Sequence, residues 1–358
     1  MDGPTRAVVG AGAWGTTLAV HLARRSRVVL LARNEQQAAS LHEGRENARY
    51  LPHIPIPAAV EITADAEAVA GAADIVVLAV PADAMRETAR RIAPYVHPGA
   101  VLLSVAKGIE RNSLLRMSEV IGQEIGEASG RIAALSGPNL AAEIARSLPA
   151  SSVVAARDEA VSGRALEIVA SRSFRLYRNR DVIGVELCGA LKNIVAIAAG
   201  AVDGLGFGDN GKAALITRGL AEMTRLGMAA GANPLTFAGL AGIGDVMATC
   251  ASRLSRNRRL GEELARGRSW AEIEGTLPGV AEGAYTVDAA LAMADRLGVE
   301  MPIAREVHNA LFEGKSVQRC LVDLLSREAK DELADFEGWV ELVAERYRAE
   351  RAEQGTPA

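Results

Sequence analysis

The sequence predicts an α/β domain built on a doubly wound parallel sheet, followed by an all-helical domain. Three observations predict it. Short apolar runs alternate with helical patterns through the first half of the 358-residue chain. A glycine-rich turn, Gly10-Ala11-Gly12-Ala13-Trp14-Gly15, stands between the first of those runs and a helical stretch. From about Ile183 the pattern becomes almost wholly helical and rich in alanine and glycine. With 49 % apolar residues the chain can bury a substantial core, and its length suits about two domains.

The first strand is read at residues 6–9, running into Gly10. Glycine there permits a tight turn, Gly12 removes a side chain where backbone must approach a pyrophosphate, and Gly15 lets the next helix pack close to the sheet. The helical residues 16–20 then direct unpaired N–H groups at an anion, and a second strand at 27–31 closes a βαβ unit. Further strands are expected at 75–80, 101–105, 132–135, 153–156 and 174–177, with helices at 84–92 and 113–121 and another starting near Ala141. Continuous apolar strands joined by helical crossovers imply a parallel sheet covered on both faces. This is a Rossmann-like arrangement with a dinucleotide site.

The second domain reads as helices at 185–201, 212–230, 240–251 and 284–297, joined by glycine-rich connections such as residues 204–208. The expected divisions are residues 1–182 for the nucleotide domain, 183–330 for the helical substrate and catalytic domain, and 331–358 for an extension. In that extension Leu333, Phe336, Val340, Val343 and Tyr347 recur at three- and four-residue intervals. Such spacing makes one apolar stripe of an amphipathic helix, suited to docking on its own chain or a sister subunit.

Composition narrows the function. A net charge of −4 without a long basic run argues against a nucleic-acid partner. Cys188, Cys250 and Cys320 share no metal spacing, and five scattered histidines form no cluster, so no metal is expected. Three unmatched cysteines suit a reducing compartment. No secretory signal is read at the start, and the apolar stretch around residues 194–202 is too short to cross a bilayer. A cytoplasmic protein without a membrane span is expected.

Several residues stand where chemistry is expected. Arg33 closes the second strand, where an acid would bind the 2′-OH of NAD and an arginine suits the 2′-phosphate of NADP. One charge-assisted bond of about 1.5–3 kcal/mol favours NADP by about one to two orders of magnitude. Lys107 lies just past a strand end, suited either to an anion or carbonyl oxygen or to a solvated loop. The turn Ser136-Gly137-Pro138-Asn139 offers free N–H groups, or simply caps a helix. Lys192, beside Asn193, sits among small and apolar neighbours. Either it snorkels, or it is a desolvated proton shuttle. Asp245, after a flexible turn, could orient it, although its charge would push the lysine pKa back up. Ser255-Arg256-Asn257 is either a solvated face or a phosphate clamp.

Together these segments resemble the bacterial type of NAD(P)-dependent sn-glycerol-3-phosphate dehydrogenase. The resemblance is carried by GAGAWGTTLA, SVAKGIE, SGPNLAAEIA, ELCGALKNIVAIAAG, GLGFGDNGKAALITRGLAEM, AGIGDVMATCASRLSRNRRLG and GVAEGAYTV, in order from Gly10 to Val287. It implies reversible reduction of dihydroxyacetone phosphate to sn-glycerol 3-phosphate for phospholipid synthesis, in a homodimer. Lys192 is then the general acid/base. Lys107, Gly137, Asn139, Asp245, Ser255, Arg256 and Asn257 surround the glycerol phosphate. Ala13, Trp14, Arg33, Tyr50, Lys107, Ala141, Arg256, Val280 and Glu282 surround the cofactor, with Gly10, Gly12 and Gly15 in its phosphate turn. Asn34 departs from the histidine or aspartate usual after Arg33, which bears on NADP against NAD. Two other readings keep the fold: a reductase of another small keto or hydroxy acid, and a non-catalytic NADP-sensing module.

Overall fold

The computed structural model describes residues 5–72, 74–276, 281–328 and 331. Val280 and the apolar stripe from Leu333 to Tyr347 lie outside the described residues.

The described residues form ten strands: β1 (Arg6–Val9), β2 (Val28–Leu31), β3 (Glu46–Asn47), β4 (Leu51–Pro55), β5 (Val60–Thr63), β6 (Ile75–Leu78), β7 (Val101–Ser104), β8 (Ile132–Ser136), β9 (Ala150–Ala156) and β10 (Phe174–Asn179). Eight form one sheet in the order β10-β9-β8-β7-β6-β1-β2-β5. The chain moves from β1 outward through β2, then returns to β6 on the other side. The switch point therefore falls between the carboxyl ends of β1 and β6, where open α/β sheets bind ligands.

The sheet is not wholly parallel. β9 pairs antiparallel with β8, and β10 then pairs parallel with β9. The reason is the connection between β8 and β9. Its only helix is five residues long, Ala141–Ala145, rising about 7 Å. A five-residue strand is roughly 17 Å long, so the chain re-enters the sheet before crossing back. The β3–β4 hairpin was also unexpected, because Pro52 and Pro55 make its sequence read as loop.

Helices α1 (Ala13–Leu22), α2 (Glu35–Gly44), α3 (Ala82–Ile92), α4 (Met117–Glu124), α5 (Ala141–Ala145) and α6 (Glu159–Val169) accompany the sheet. The helix expected at 113–121 starts later, because residues 109–116 form a closed turn. Glu110 N–H donates to Leu115 O at 3.0 Å, and Ile109 bridges Arg116. β2, β6 and β7 are buried along their whole length, as a sheet covered on both faces requires.

The rest is helical: α7 (Val182–Leu205), α8 (Gly208–Ala229), α9 (Pro234–Phe237), α10 (Asp245–Ala251), α11 (Arg256–Ala265), α12 (Trp270–Glu274), α13 (Glu282–Leu297), α14 (Pro302–Phe312) and α15 (Val317–Leu325). α7 is the axis of this part. Asp181 caps its start through Gly184 N–H at 2.8 Å, and Gly206 ends it at φ 72°. With 24 residues it is long enough to cross a membrane, contrary to the expectation from 194–202, yet 94 % of its most apolar window is buried within the protein. α11 lies directly against it. A Cβ on Gly200 would come within 1.8 Å of Arg258 O, and one on Gly261 within 1.9 Å of Ile197 O. The expected helix at 240–251 is broken. A π-helical turn, Leu240–Gly244, with Gly242 at φ −89°, ψ −105°, precedes α10. All three cysteines are free and buried.

Candidate active site

The three glycines of the turn differ in what surrounds them. Gly10 has φ +107°, and a Cβ there would lie 2.6 Å from Ala79 O, just beyond β6. A Cβ on Gly15 would come within 1.8 Å of Gly10 O, whereas one on Gly12 meets nothing within 4 Å. The first two glycines answer to the protein's own backbone. Gly12 faces the open switch point, where α1 presents its first N–H groups, and this fits a dinucleotide pyrophosphate.

Two side-chain amides hold the turn in place. Gln37 Nε2 and Asn47 Nδ2 both donate to Ala11 O, at 3.1 and 3.0 Å, and Asn47 also donates to Thr16 Oγ1 at 2.8 Å. Neither amide was anticipated, since each lies more than twenty residues from its partner and belongs to no motif. Asn47 also accepts Tyr50 N–H through its carbonyl at 3.1 Å, tying Tyr50 to the turn. Arg33 is exposed at the end of β2. Its N–H donates to Gln37 Oε1 at 3.0 Å, and its guanidinium has no partner among the described residues. Trp14 instead packs into the domain, its ring edge-on to Phe174 at 6.3 Å. Ala141 O accepts the Thr17 hydroxyl at 3.2 Å, joining α5 to α1.

Farther along the same carboxyl edge, Lys107 follows β7 and Gly137 follows β8. Lys107 Nζ donates to Gly137 O at 2.9 Å and to Asp245 Oδ2 at 2.5 Å. From α7, Lys192 Nζ donates to Asp245 Oδ1 at 3.0 Å and to Thr249 Oγ1 at 2.6 Å. One carboxylate thus bridges two ammonium groups from different parts of the chain. Asp245 is 1 % exposed and Lys192 6 %, so Lys192 does not snorkel. Burial opposes ionisation of Asp245, but Lys107 and Lys192 hold its carboxyl below the ordinary value. Burial also lowers Lys107 to about 8, against the pull of Asp245 and with help from the Lys192 charge.

Thr249 was missed in the sequence. It lies four residues after Asp245 and donates to Asp245 Oδ1 at 3.2 Å, so the i,i+4 spacing was the available signal.

The remaining expected residues divide by what they touch. Asn257 bridges two elements: its Nδ2 donates to Asn193 Oδ1 at 2.9 Å, and its Oδ1 accepts Gly283 N–H at 3.0 Å. Asn193 Nδ2 in turn donates to Lys107 O at 3.4 Å. Ser255 caps α11, accepting Arg258 N–H at 3.2 Å. Arg256, half-buried in the first turn of α11, has no hydrogen bond or ion pair among the described residues. Its charge reaches Glu282, whose carboxyl is pushed up by burial and eased by Arg256. Asn139 accepts the Ser152 hydroxyl, while its buried Nδ2 has no partner among the described residues. The turn before α5 is no side-chain cap, since its N-cap is Leu140. Gly137 has φ +145°, and a Cβ there would lie 2.7 Å from Ser152 Oγ. No three metal-ligating side chains cluster among the described residues.

A glycine turn open at the sheet's switch point, with two buried lysines sharing one carboxylate beyond the ends of β7 and β8, fits a nicotinamide-dependent oxidoreductase. Models of the N-terminal and C-terminal parts of NAD-dependent glycerol-3-phosphate dehydrogenase match residues 6–162 and 181–322. The chain belongs to that family. A glycerol-3-phosphate dehydrogenase [NAD(P)+] of Frankia casuarinae is 50 % identical over 324 residues, covering 90 % of this chain and 96 % of the relative. That of Chlorobium luteolum is 47 % identical over 328 residues, covering 91 % and 98 %. The crystal structure of glycerol-3-phosphate dehydrogenase from Coxiella burnetii superposes with a TM-score of 0.86 at 38 % identity, covering 90 % of this chain and 99 % of that one.

Proposed function

We propose that this protein catalyses the reversible, NAD(P)H-dependent reduction of dihydroxyacetone phosphate to sn-glycerol 3-phosphate, supplying glycerophospholipid synthesis. The observation that carries the reading is the Asp245 carboxylate held between Lys107 and Lys192. A bound nicotinamide supplies the hydride for the carbonyl carbon. Lys192 holds the proton for the carbonyl oxygen, and its positive charge stabilises the alkoxide as it develops. Asp245 and Thr249 fix the direction of its Nζ. Lys107 contributes a second cation beside Gly137. Arg256 is assigned to the substrate phosphate, so that binding energy remote from the carbonyl orients it. Asn257 serves by bracing Asn193 and the start of α13. The test is direct: NADPH consumption on adding dihydroxyacetone phosphate, with sn-glycerol 3-phosphate formed in equal amount. Tight NADPH binding without turnover would favour a sensing module instead.

NADP is the proposed preference, supported by the exposed Arg33 at the end of β2, whose guanidinium is unpaired among the described residues. Arg33→Asp removes a partner for the 2′-phosphate and sets a carboxylate against it. The ratio of kcat/KM for NADPH to that for NADH should fall by about one to two orders of magnitude; an unchanged ratio would make Arg33 a plain surface residue. A homodimer is proposed on the exposed apolar side chains of Phe207, Val322 and Leu325, and its mass in solution tests it. A cytoplasmic location is proposed on the three free thiols.

A further inference from the structure

The loop that carries Lys107 runs from the end of β7 to the start of α4, and it is fastened to α7 at two points. The first is Asn193, whose amide meets Lys107 O at 3.4 Å. The second is Glu186, two helical turns earlier, or about 10 Å along the axis. Glu186 is 7 % exposed and Arg116 8 %. The Glu186 carboxylate accepts three bonds where the loop enters α4: Arg116 Nη1 at 2.7 Å, Ser118 N–H at 2.8 Å and Ser118 Oγ at 2.6 Å. Arg116 is held in turn by Glu119, through Nη2 at 2.7 Å and through its own N–H at 2.9 Å.

The α4 end of the loop is coupled back to Lys107. Arg116 bridges Ile109, two residues beyond the lysine, and the intervening turn is closed on itself. Between the two fastenings α7 carries Gly189, where a Cβ would lie 2.7 Å from Ser136 Oγ and 3.4 Å from Lys107 Cγ. Glu186, Gly189 and Asn193 occupy one face of the helix that also bears Lys192. The loop therefore takes its position from α7 itself.

We propose that Glu186, with Arg116, is a positioning residue that registers the Lys107 loop on α7, so that Lys107 and Lys192 meet opposite oxygens of Asp245. The inference rests on the reading of Lys107 as part of the site. A buried pair used only for stability is weak design, since apolar residues of similar volume commonly serve as well. A pair fixing the position of one charged group within hydrogen-bond reach of another has a use that apolar residues cannot replace.

A double-mutant cycle tests this on the full-length protein, comparing wild type, Glu186→Gln, Lys107→Ala and the double variant, with melting temperatures recorded for each. Glu186→Gln keeps the shape and removes the charge. It should lower kcat with dihydroxyacetone phosphate on the order of tenfold to a hundredfold, with KM for NADPH changed by less than about twofold. In the Lys107→Ala background the same change should cost less than about twofold, because the residue it positions is gone. Equal losses in both backgrounds would show that Glu186 serves the fold and overturn the positioning role alone. Full activity of Lys107→Ala would overturn the reading of Lys107 and the inference with it. Should Glu186→Gln not fold, Ser118→Ala removes one bond to the same carboxylate and carries the cycle at a smaller, few-fold scale.

Discussion

Lys192→Ala is expected to lower kcat by roughly two to four orders of magnitude, the range for loss of a positioned general acid, with NADPH affinity nearly intact. The separation of effects follows from where Lys192 stands. It projects from α7 onto Asp245 and Thr249, while the dinucleotide turn belongs to β1 and α1. No hydrogen bond joins Lys192 to that turn among the described residues. Lys192→Arg should not rescue the rate. A guanidinium keeps the charge but is too basic to give up a proton near neutral pH. Near-normal turnover in a folded Lys192→Ala protein would remove this residue from the chemistry.

The second large effect is expected at Asp245. Asp245→Asn leaves two ammonium groups facing a neutral amide in a buried site, and the loss of a buried partner costs about 3–5 kcal/mol of stability. Turnover should fall together with stability, since both lysines lose the group that aims them. The deficit should depend on pH with a defined sign. Lys107 is already lowered to about 8 in the folded protein, below its ordinary 10.5. The folded state therefore binds fewer protons than the unfolded one between those values, and lysine desolvation weighs against folding most heavily below pH 8. In the variant this penalty is no longer offset by the carboxylate. Its melting temperature should lie furthest below wild type at pH 6–7 and approach it as pH rises past about 8. A gap independent of pH would mean that Asp245 supports the fold by packing and not by neutralising the lysines.

The parts of this site that were legible in the sequence are those where one residue answers to one local demand. Gly10 and Gly15 stand where a Cβ would strike backbone, and their spacing within one turn is visible without a structure. Lys192 stood out among small, apolar neighbours, and its burial at 6 % exposure decides between snorkelling and desolvation. Thr249, Gln37 and Asn47 were not legible, because what they do depends on partners brought together by folding. Ser255 and Asn257 were legible as a polar cluster but not by the partners they take within the protein. Ser255 caps α11 locally, and the crossing of α11 over α7 sets Asn257 between Asn193 and Gly283. The same distinction holds for the fold. An apolar run announces a strand but not its direction, so the reversal at β9 depends on the short α5 connection. The break before α10 comes from Gly242 adopting ψ −105°, which an apolar helical pattern does not reveal.

The account turns on a carbonyl reduction steered by a phosphate, and the most direct measurement compares two substrates in two proteins. kcat/KM should be determined with dihydroxyacetone phosphate and with dihydroxyacetone, for wild type and for Arg256→Ala, under saturating NADPH. Loss of one charge-assisted contact of about 1.5–3 kcal/mol predicts a fall of about ten- to a hundred-and-fifty-fold on the phosphorylated substrate. Little change is predicted on the unphosphorylated one. Equal falls on both substrates, or wild-type turnover indifferent to the phosphate, would contradict the account.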